Sequence, residues 1–564
     1  MLPMKWVLGL AVLAACDGTD TTTPDAAMEP LRVVELAPQQ VNEDETLTLA
    51  IATEGGAEDP RVFVENLPPG AVWDETTRTL AFTPDFLQGG KHWQVAITAD
   101  DGTTRAQGTV EIAAIDTIRP PVPVITAMTT ATGYTRYTVT QTTDAYLDTA
   151  ANAGRTFTAV ITVPTTMPAS VPVRVELHGF GGAPGTAGST GEIRIYPHDP
   201  SNTYWWGYGA PGPVPEYTAR RVLNLLGYVL ATYPAADPER VTLDGGSMGG
   251  AGAMTIGLLH ARHVAYVHAL WGQAIAKNHR PSRVAQLQTL WGTPASDLDD
   301  GRGMGAWTRM DLTRALRDEP EARDQFLTIK HSKDDTTIHF GAAVMPSPLT
   351  QQTLYSALQT NHVGHFAIWD EGGHGDLDPV LGNNWWTAGW DPIFDTTALL
   401  RHDRAFPAFS KSSLDNDPGT GGNGTRVYSA EAGYAGVVSV VADTGWAGDR
   451  AGAINRFLRW DGTKIVDTID RFELPLRVID GQGAAPTRAG DPTTGDKLDG
   501  TLPVTVDVTP RRVQAFRTRP GEMVAWTIGT QGGTVAADAT GAVTVPAVVL
   551  DTSWATLVLT RVPR

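Results

Sequence analysis

Cysteine is almost missing from this chain: Cys16 is the only one in 564 residues, so no internal disulfide can staple the fold. Long apolar runs are missing too. The most apolar stretch, Trp6 to Ala15, falls short of the roughly 20 residues a permanent bilayer-spanning helix needs. Positive charge is scarce, with 43 Lys and Arg against 62 Asp and Glu and a net charge of −19. That balance argues against a nucleic-acid binder and favours solubility. No H-E-x-x-H or other His-rich metal spacing, no P-loop and no dinucleotide fingerprint occurs, so neither a metal nor an organic cofactor is expected. What is plentiful is glycine, at 59, and proline, at 39. With a modest charged fraction, this composition suits β-rich exported modules rather than disorder.

The length implies about three domains. At the N-terminus, Lys5 followed by the apolar run reads as a secretory signal. Leu13-Ala14-Ala15-Cys16 resembles the bacterial lipobox. The resemblance implies a signal peptide over 1–16, lipidation of Cys16, and a protein exported to the cell envelope and held to a membrane by its lipid. A plain signal cut near Ala15 is the alternative. A flexible tether is expected over 17–30. From 31 to 116, short alternating segments such as Thr46 to Ile51 and Trp93 to Ile97 between Gly, Pro and Asp turns predict a β-sandwich. Asn66-Leu67-Pro68-Pro69-Gly70 and Ala99-Asp100-Asp101-Gly102 within it resemble the immunoglobulin-like or cadherin-like modules of bacterial surface proteins, which implies a spacer. A Pro-rich linker covers 117–124. Over 125–409, strand-like runs (Thr156 to Val163, Val173 to Leu177, Arg240 to Leu243) alternate with helix-like ones (Tyr217 to Thr232, Gly250 to Arg262), predicting an α/β domain around a mostly parallel sheet. The polar stretch from Ala274 to Gln325 is expected to be a cap or a surface excursion. Residues 410–564 predict one or two further β-rich modules, including a strand at Val437 to Val441. Asp415-Asn416-Asp417 lacks the later acidic ligand of a calcium loop and reads as an acidic turn.

Chemistry concentrates at Gly245-Gly246-Ser247-Met248-Gly249, a G-x-S-x-G between a predicted strand and a predicted helix. That context exposes a serine on a sharp turn. The helix start beside Ser247 adds partial positive charge for a developing oxyanion. Upstream, the strand Val173 to Leu177 leads into His178-Gly179-Phe180-Gly181-Gly182. Together these segments resemble the α/β-hydrolases. Asp237-Pro238-Glu239-Arg240-Val241 before the elbow adds a likeness to secreted esterases of the polyhydroxyalkanoate-depolymerase and feruloyl-esterase type and to prolyl-oligopeptidase-like hydrolases. Two departures stand out: no cysteine pairs with the oxyanion loop, and no β-propeller precedes the domain.

The resemblance implies a triad with Ser247 as nucleophile, an acid after a late strand and a histidine after the last catalytic strand. Matching Ser332-Lys333-Asp334-Asp335-Thr336-Thr337 to that pattern selects Asp335, with Asp334 as the alternative. Glu371-Gly372-Gly373-His374-Gly375 supplies His374 in preference to His178, His331, His339, His362 and His365. The backbone N–H groups of Phe180 and Met248 are the implied oxyanion hole. Trp205, Trp206 and Trp385 are candidates to line a substrate pocket, since flat apolar faces bind with little entropy loss. The implied reaction is hydrolysis of a carboxylic ester, on a polymeric or surface-associated substrate. A serine peptidase or amidase, and an inert surface-binding protein, are the alternatives. Oligomeric state is not legible.

Overall fold

The structure is a computed structural model that describes residues 29–56, 59–333, 335–370, 372–375, 400–420, 448–449, 452–478 and 502–562. Cys16 with the expected signal peptide, Asp334, Trp385 and the expected strand at 437–441 lie outside the described residues.

The alternating N-terminal segments form two sheets, one of four strands and one of three, between Gln39 and Ile115. Val62, Val64, Val95, Ile97, Val110 and Ile112 from the first meet Leu49, Leu80 and Phe82 from the second in one core. This is a β-sandwich, as the period-2 pattern requires. The linker is pinned to it, because the Glu43 carboxylate accepts the backbone N–H groups of Thr117 and Ile118.

The α/β region is built on a ten-stranded sheet. Its strands in chain order are β1 (Val124–Ala131), β2 (Tyr134–Thr142), β3 (Thr156–Pro164), β4 (Val171–Leu177), β5 (Ile193–Tyr196), β6 (Ala236–Gly246), β7 (Tyr266–Leu270), β8 (Phe326–Ser332), β9 (Gly364–Asp370) and β10 (Gly452–Ile454). Their spatial order is β1-β2-β3-β5-β4-β6-β7-β8-β9-β10. The stretch from β5 to β9 is parallel, with antiparallel strands at both edges. β4 leads to β5 on one side while β6 leads to β7 on the other. The carboxyl ends of β4 and β6 therefore frame a topological switch point, where open α/β sheets place their sites. β8 and β9 are buried along their whole length, as expected for strands covered on both faces.

Helix α1 (Tyr217–Thr232) matches its predicted span. Helix α2 (Met248–Leu259) starts two residues earlier than its Gly-rich pattern suggested and is buried almost throughout. The Ala274 to Gln325 stretch holds helix α3 (Pro281–Trp291) and three shorter helices. Among the described residues, no helix is long and apolar enough to cross a membrane.

The expected boundary at 409 does not end the α/β body. β10, from beyond it, pairs with β9, and Phe406–Ser410 pairs with Val504–Arg511. Phe326 and Phe366 of the sheet share one core with Phe406, Trp460, Phe472 and Val524. Arg512 reaches across to donate to the carbonyls of Ala265, Asp324 and Arg401. Composition changes near residue 418, but the apolar face of the sheet needs a cover, and the C-terminal strands supply it. The chain thus combines a large α/β sheet with β-rich regions on either side in sequence.

Candidate active site

Between β6 and α2 stands a single residue, Ser247, with φ 61° and ψ −127°. A non-glycine residue at positive φ is strained, and the strain persists only when its surroundings hold it. Here the Ser247 N–H donates to the Leu270 carbonyl at the end of β7 (2.8 Å), and the Ser247 carbonyl accepts from Ala251 (3.0 Å). Close approach does the rest. A Cβ on Gly249 would stand 2.0 Å from the Leu177 carbonyl oxygen, and one on Gly245 would stand 2.3 Å from the Gly249 carbonyl oxygen. Only glycine lets β4, β6 and α2 converge beneath the serine.

Asp335 follows β8, and its carboxylate is buried at 1 % exposure. One oxygen accepts the backbone N–H groups of Thr337 (2.7 Å) and Ile338 (2.9 Å). The other lies 2.7 Å from His374 Nδ1. His374 follows β9, and its Nε2 is 2.7 Å from Ser247 Oγ. A carboxylate oxygen at Nδ1 accepts, which places the ring proton there and leaves Nε2 to accept the serine hydroxyl. The serine, acid and histidine selected from sequence therefore meet in one hydrogen-bonded chain, and the carboxylate at the histidine is that of Asp335. The His374 side chain is about one-quarter exposed, at 23 %.

A second buried network, which sequence reasoning missed, lies behind the histidine. Asp370 at the end of β9 accepts the Gly372 N–H (2.9 Å) and the Ser332 hydroxyl (3.1 Å) on one oxygen. Its other oxygen pairs with Lys330 Nζ at 2.9 Å, both residues being almost wholly buried. Trp271 donates its indole N–H to Ser332 Oγ (2.8 Å) and places its ring 6.4 Å from that of His374. Gly372 stands two residues before His374, so the network fixes the backbone that carries the His374 ring. Nothing in the local sequence marks Asp370, because Lys330, Ser332 and Asp370 become neighbours only when β8 pairs with β9.

Gly179 packs against Ser247: a Cβ on it would lie 3.9 Å from Ser247 Oγ, so the peptide that begins Phe180 adjoins the serine. The loop is held from behind. His178 Nδ1 donates to the Gly179 carbonyl (2.8 Å), its Nε2 accepts from Asp199 N–H (3.0 Å), and Gly181 N–H donates to Asn202 (2.6 Å). Burial holds His178 below its ordinary pKa, which suits this neutral tautomer. Met248 opens α2 and is fully buried; N–H groups in a helix's first turn lack intrahelical acceptors.

Trp205 and Trp206 require a correction. They are 0 % and 2 % exposed, and the cavity that Trp206 lines is walled by Glu216, Leu259, Asp300, Arg302 and Arg309 rather than by Ser247 or His374. Trp205 packs on α2, where a Cβ on Gly252 would collide with its ring at 2.5 Å, and its indole donates to the His178 carbonyl. Aromatic residues close to a site in sequence were drawn into the core beneath it. Of the other histidines, His331 lies between Tyr355 and the Gly272 carbonyl, and His365 faces the Val363 carbonyl. Burial lowers each of these two to a pKa of about 4.

No protein-family model and no curated protein matches this chain. Solved structures do. An S-formylglutathione hydrolase from Agrobacterium tumefaciens is 15 % identical over 44 % of this chain and 92 % of its own, with a TM-score of 0.32. A ferulic acid esterase is 17 % identical over 42 % of this chain and 91 % of its own, with a TM-score of 0.28. An acylaminoacyl peptidase from Pyrococcus horikoshii is 13 % identical over 50 % of each chain, with a TM-score of 0.30. Fold and site rest instead on the strand order and the hydrogen bonds of this chain. Among the described residues, no group of three or more His, Cys, Asp and Glu could hold a metal ion.

Proposed function

We propose that the chain is a serine hydrolase of the α/β-hydrolase type that cleaves carboxylic esters through an acyl-enzyme. The observation that carries this reading is the chain of two 2.7 Å contacts from Ser247 through His374 to Asp335, set on a strained strand-to-helix turn. In the first half-reaction Ser247 Oγ attacks the ester carbonyl as His374 Nε2 takes its proton. Asp335 holds the ring in the Nδ1–H tautomer and stabilises the imidazolium. The carbon–oxygen bond to the alcohol then breaks, and the alcohol leaves with the proton from His374. Water enters, gives a proton to Nε2 and attacks the acyl carbon; the bond to Oγ then breaks as His374 returns the proton to it, releasing the acid and free Ser247. Backbone N–H groups of Phe180 and Met248 receive the oxyanion in this reading. Each such donor is worth about 2.7–4 kcal/mol of barrier in measured cases.

The decisive experiment sets p-nitrophenyl esters beside peptide anilides, with a fluorophosphonate probe for Ser247 and Ser247→Ala as the control. Ester turnover that disappears in the variant supports the reading. Anilide cleavage with poor ester turnover replaces it with a peptidase, and no turnover together with an unlabelled serine replaces it with a binding protein. A polymeric or surface-associated substrate and a lipid anchor at Cys16 belong to the same proposal. Release from membranes on Cys16→Ser tests the anchor.

A further inference from the structure

The exposed ring of Phe180, the residue after Gly179, carries a cation. Arg283, in the first turn of α3, lays its guanidinium over the Phe180 ring, with Cζ 4.4 Å from the centroid and 5.9 Å from that of Tyr204. Phe180 is the residue after Gly179, which packs on Ser247, and its own side chain is 43 % exposed. Arg283 donates from one terminal nitrogen to Gln286, but its buried Nε has no hydrogen-bond partner among the described residues. No carboxylate pairs with it there either, whereas Arg61, Arg174, Arg240, Arg262, Arg309 and Arg314 all meet one. In a chain of net charge −19, Arg283 thus keeps its positive charge over the Phe180 ring without a described carboxylate partner.

Two more buried polar side chains of the segment that follows β7 have atoms without a partner among the described residues. His279, 2 % exposed, leaves Nε2 without a partner among the described residues. Burial, with the fields of Arg283, His339, Arg280 and His374 adding to it, pushes its pKa well below the usual value. Its Nδ1 accepts the Arg280 N–H, so the neutral ring carries its proton on Nε2, a donor with no described acceptor. Gln273, 3 % exposed and three residues beyond the Leu270 carbonyl that holds the Ser247 N–H, has neither end of its amide paired among the described residues. A guanidinium stacked on an aromatic face is pre-organised for two-point recognition of a planar anion, and a desolvated N–H gains most from a charged acceptor.

We propose that the ester hydrolysed at this site carries a carboxylate, bound by Arg283 against Phe180. This rests on the serine-hydrolase reading above and names its substrate class. The chemistry at Ser247 is unchanged, and the carboxylate serves to orient the ester. The test uses the full chain and two matched pairs of substrates. p-Nitrophenyl hydrogen glutarate against p-nitrophenyl valerate places the charge on the acyl side. 4-Acetoxybenzoate against its methyl ester places it on the leaving group.

The expected result is a higher kcat/KM for the charged member of one pair, weakened by added salt. Arg283→Gln should lower the charged-to-neutral ratio about tenfold or more, as loss of a charge-assisted hydrogen bond implies, and Arg283→Lys should recover part of it. Labelling of Ser247 by a fluorophosphonate without charge preference in either pair overturns the inference alone, as does an Arg283→Gln variant that loses both members of a pair equally. An unlabelled serine with no turnover of any of the four esters overturns the serine-hydrolase reading and this inference with it.

Discussion

His374 and His260 both sit on the α/β domain, and each contacts a buried carboxylate, Asp335 at 2.7 Å and Glu216 at 3.0 Å. They differ in what else surrounds the carboxylate. Glu216 is also met by Arg302 at 2.7 Å and, more loosely, by Arg220. Burial alone would raise its pKa, but His260, Arg302 and Arg220 draw it down to about 2. Asp335 meets no lysine or arginine among the described residues, only two backbone N–H groups and the imidazole. Its charge is thus directed at one ring, whose other nitrogen reaches Ser247. A carboxylate shared among cations ties segments together, whereas one reserved for a single imidazole orients that ring for proton transfer.

The comparison breaks most visibly at the nucleophile. Ser247→Ala should lower kcat by about 10⁴-fold or more while the melting curve stays in place; a small loss in steady-state kinetics would remove the triad reading. Asp335→Asn should cost about 10⁴-fold, because an amide no longer enforces the Nδ1–H tautomer. Asp370→Asn acts one step back. By loosening the backbone at Gly372 it should lower kcat roughly 10- to 100-fold, with KM little changed. Asp370→Ala should in addition destabilise the fold by about 3–5 kcal/mol, since it removes both the carboxylate that meets the buried Lys330 and the acceptor of the Gly372 N–H and Ser332 hydroxyl; denaturant titration separates the two effects.

Glu216→Gln should reverse the pattern, keeping kcat within about twofold and losing stability on the order of 3 kcal/mol near neutral pH. The sign follows from the depressed pKa. The stabilisation is fully present above the ordinary value of 4.5 and fades as pH falls through about 2. Acid titration of the wild type should show that loss, and the variant should lack it. The smallest effect is expected at Arg105→Ala. Its pair with Asp470 links the N-terminal sandwich to the C-terminal strands but is about half exposed on both sides, so thermal melts should move by less than about 1 kcal/mol.

That last pair belongs to a broader interface. Arg61 bridges Glu75 of the sandwich to Glu522 of the C-terminal region, and Arg519 returns to Glu75 at 2.6 Å. Asp85 meets His263 at 2.6 Å, and Phe86 packs its ring 5.2 Å from Tyr146. A sandwich expected as a spacer is docked on both neighbours. Its strands were legible because alternation is a local property. Its docking was not, since Arg61 and Glu522 look like any surface charges until two distant segments face each other.

Sequence by itself determined which residues could do chemistry. A glycine-flanked serine between a strand and a helix, an Asp-rich loop after one strand and a Gly-Gly-His after another are local patterns, and local sterics dictate the turn that presents Ser247. Helix α1 and strands β3, β4 and β6 were legible for the same reason, through their own periodicity. Tertiary structure alone decided the rest. It brought the carboxylate of Asp335 to His374, buried Trp205 and Trp206 in the core, joined Lys330 to Asp370, set Arg283 over Phe180 and fused the C-terminal strands to the sheet. Each of these depends on which faces of distant segments meet, and that is fixed by the need to bury apolar surface and to pair every buried charge.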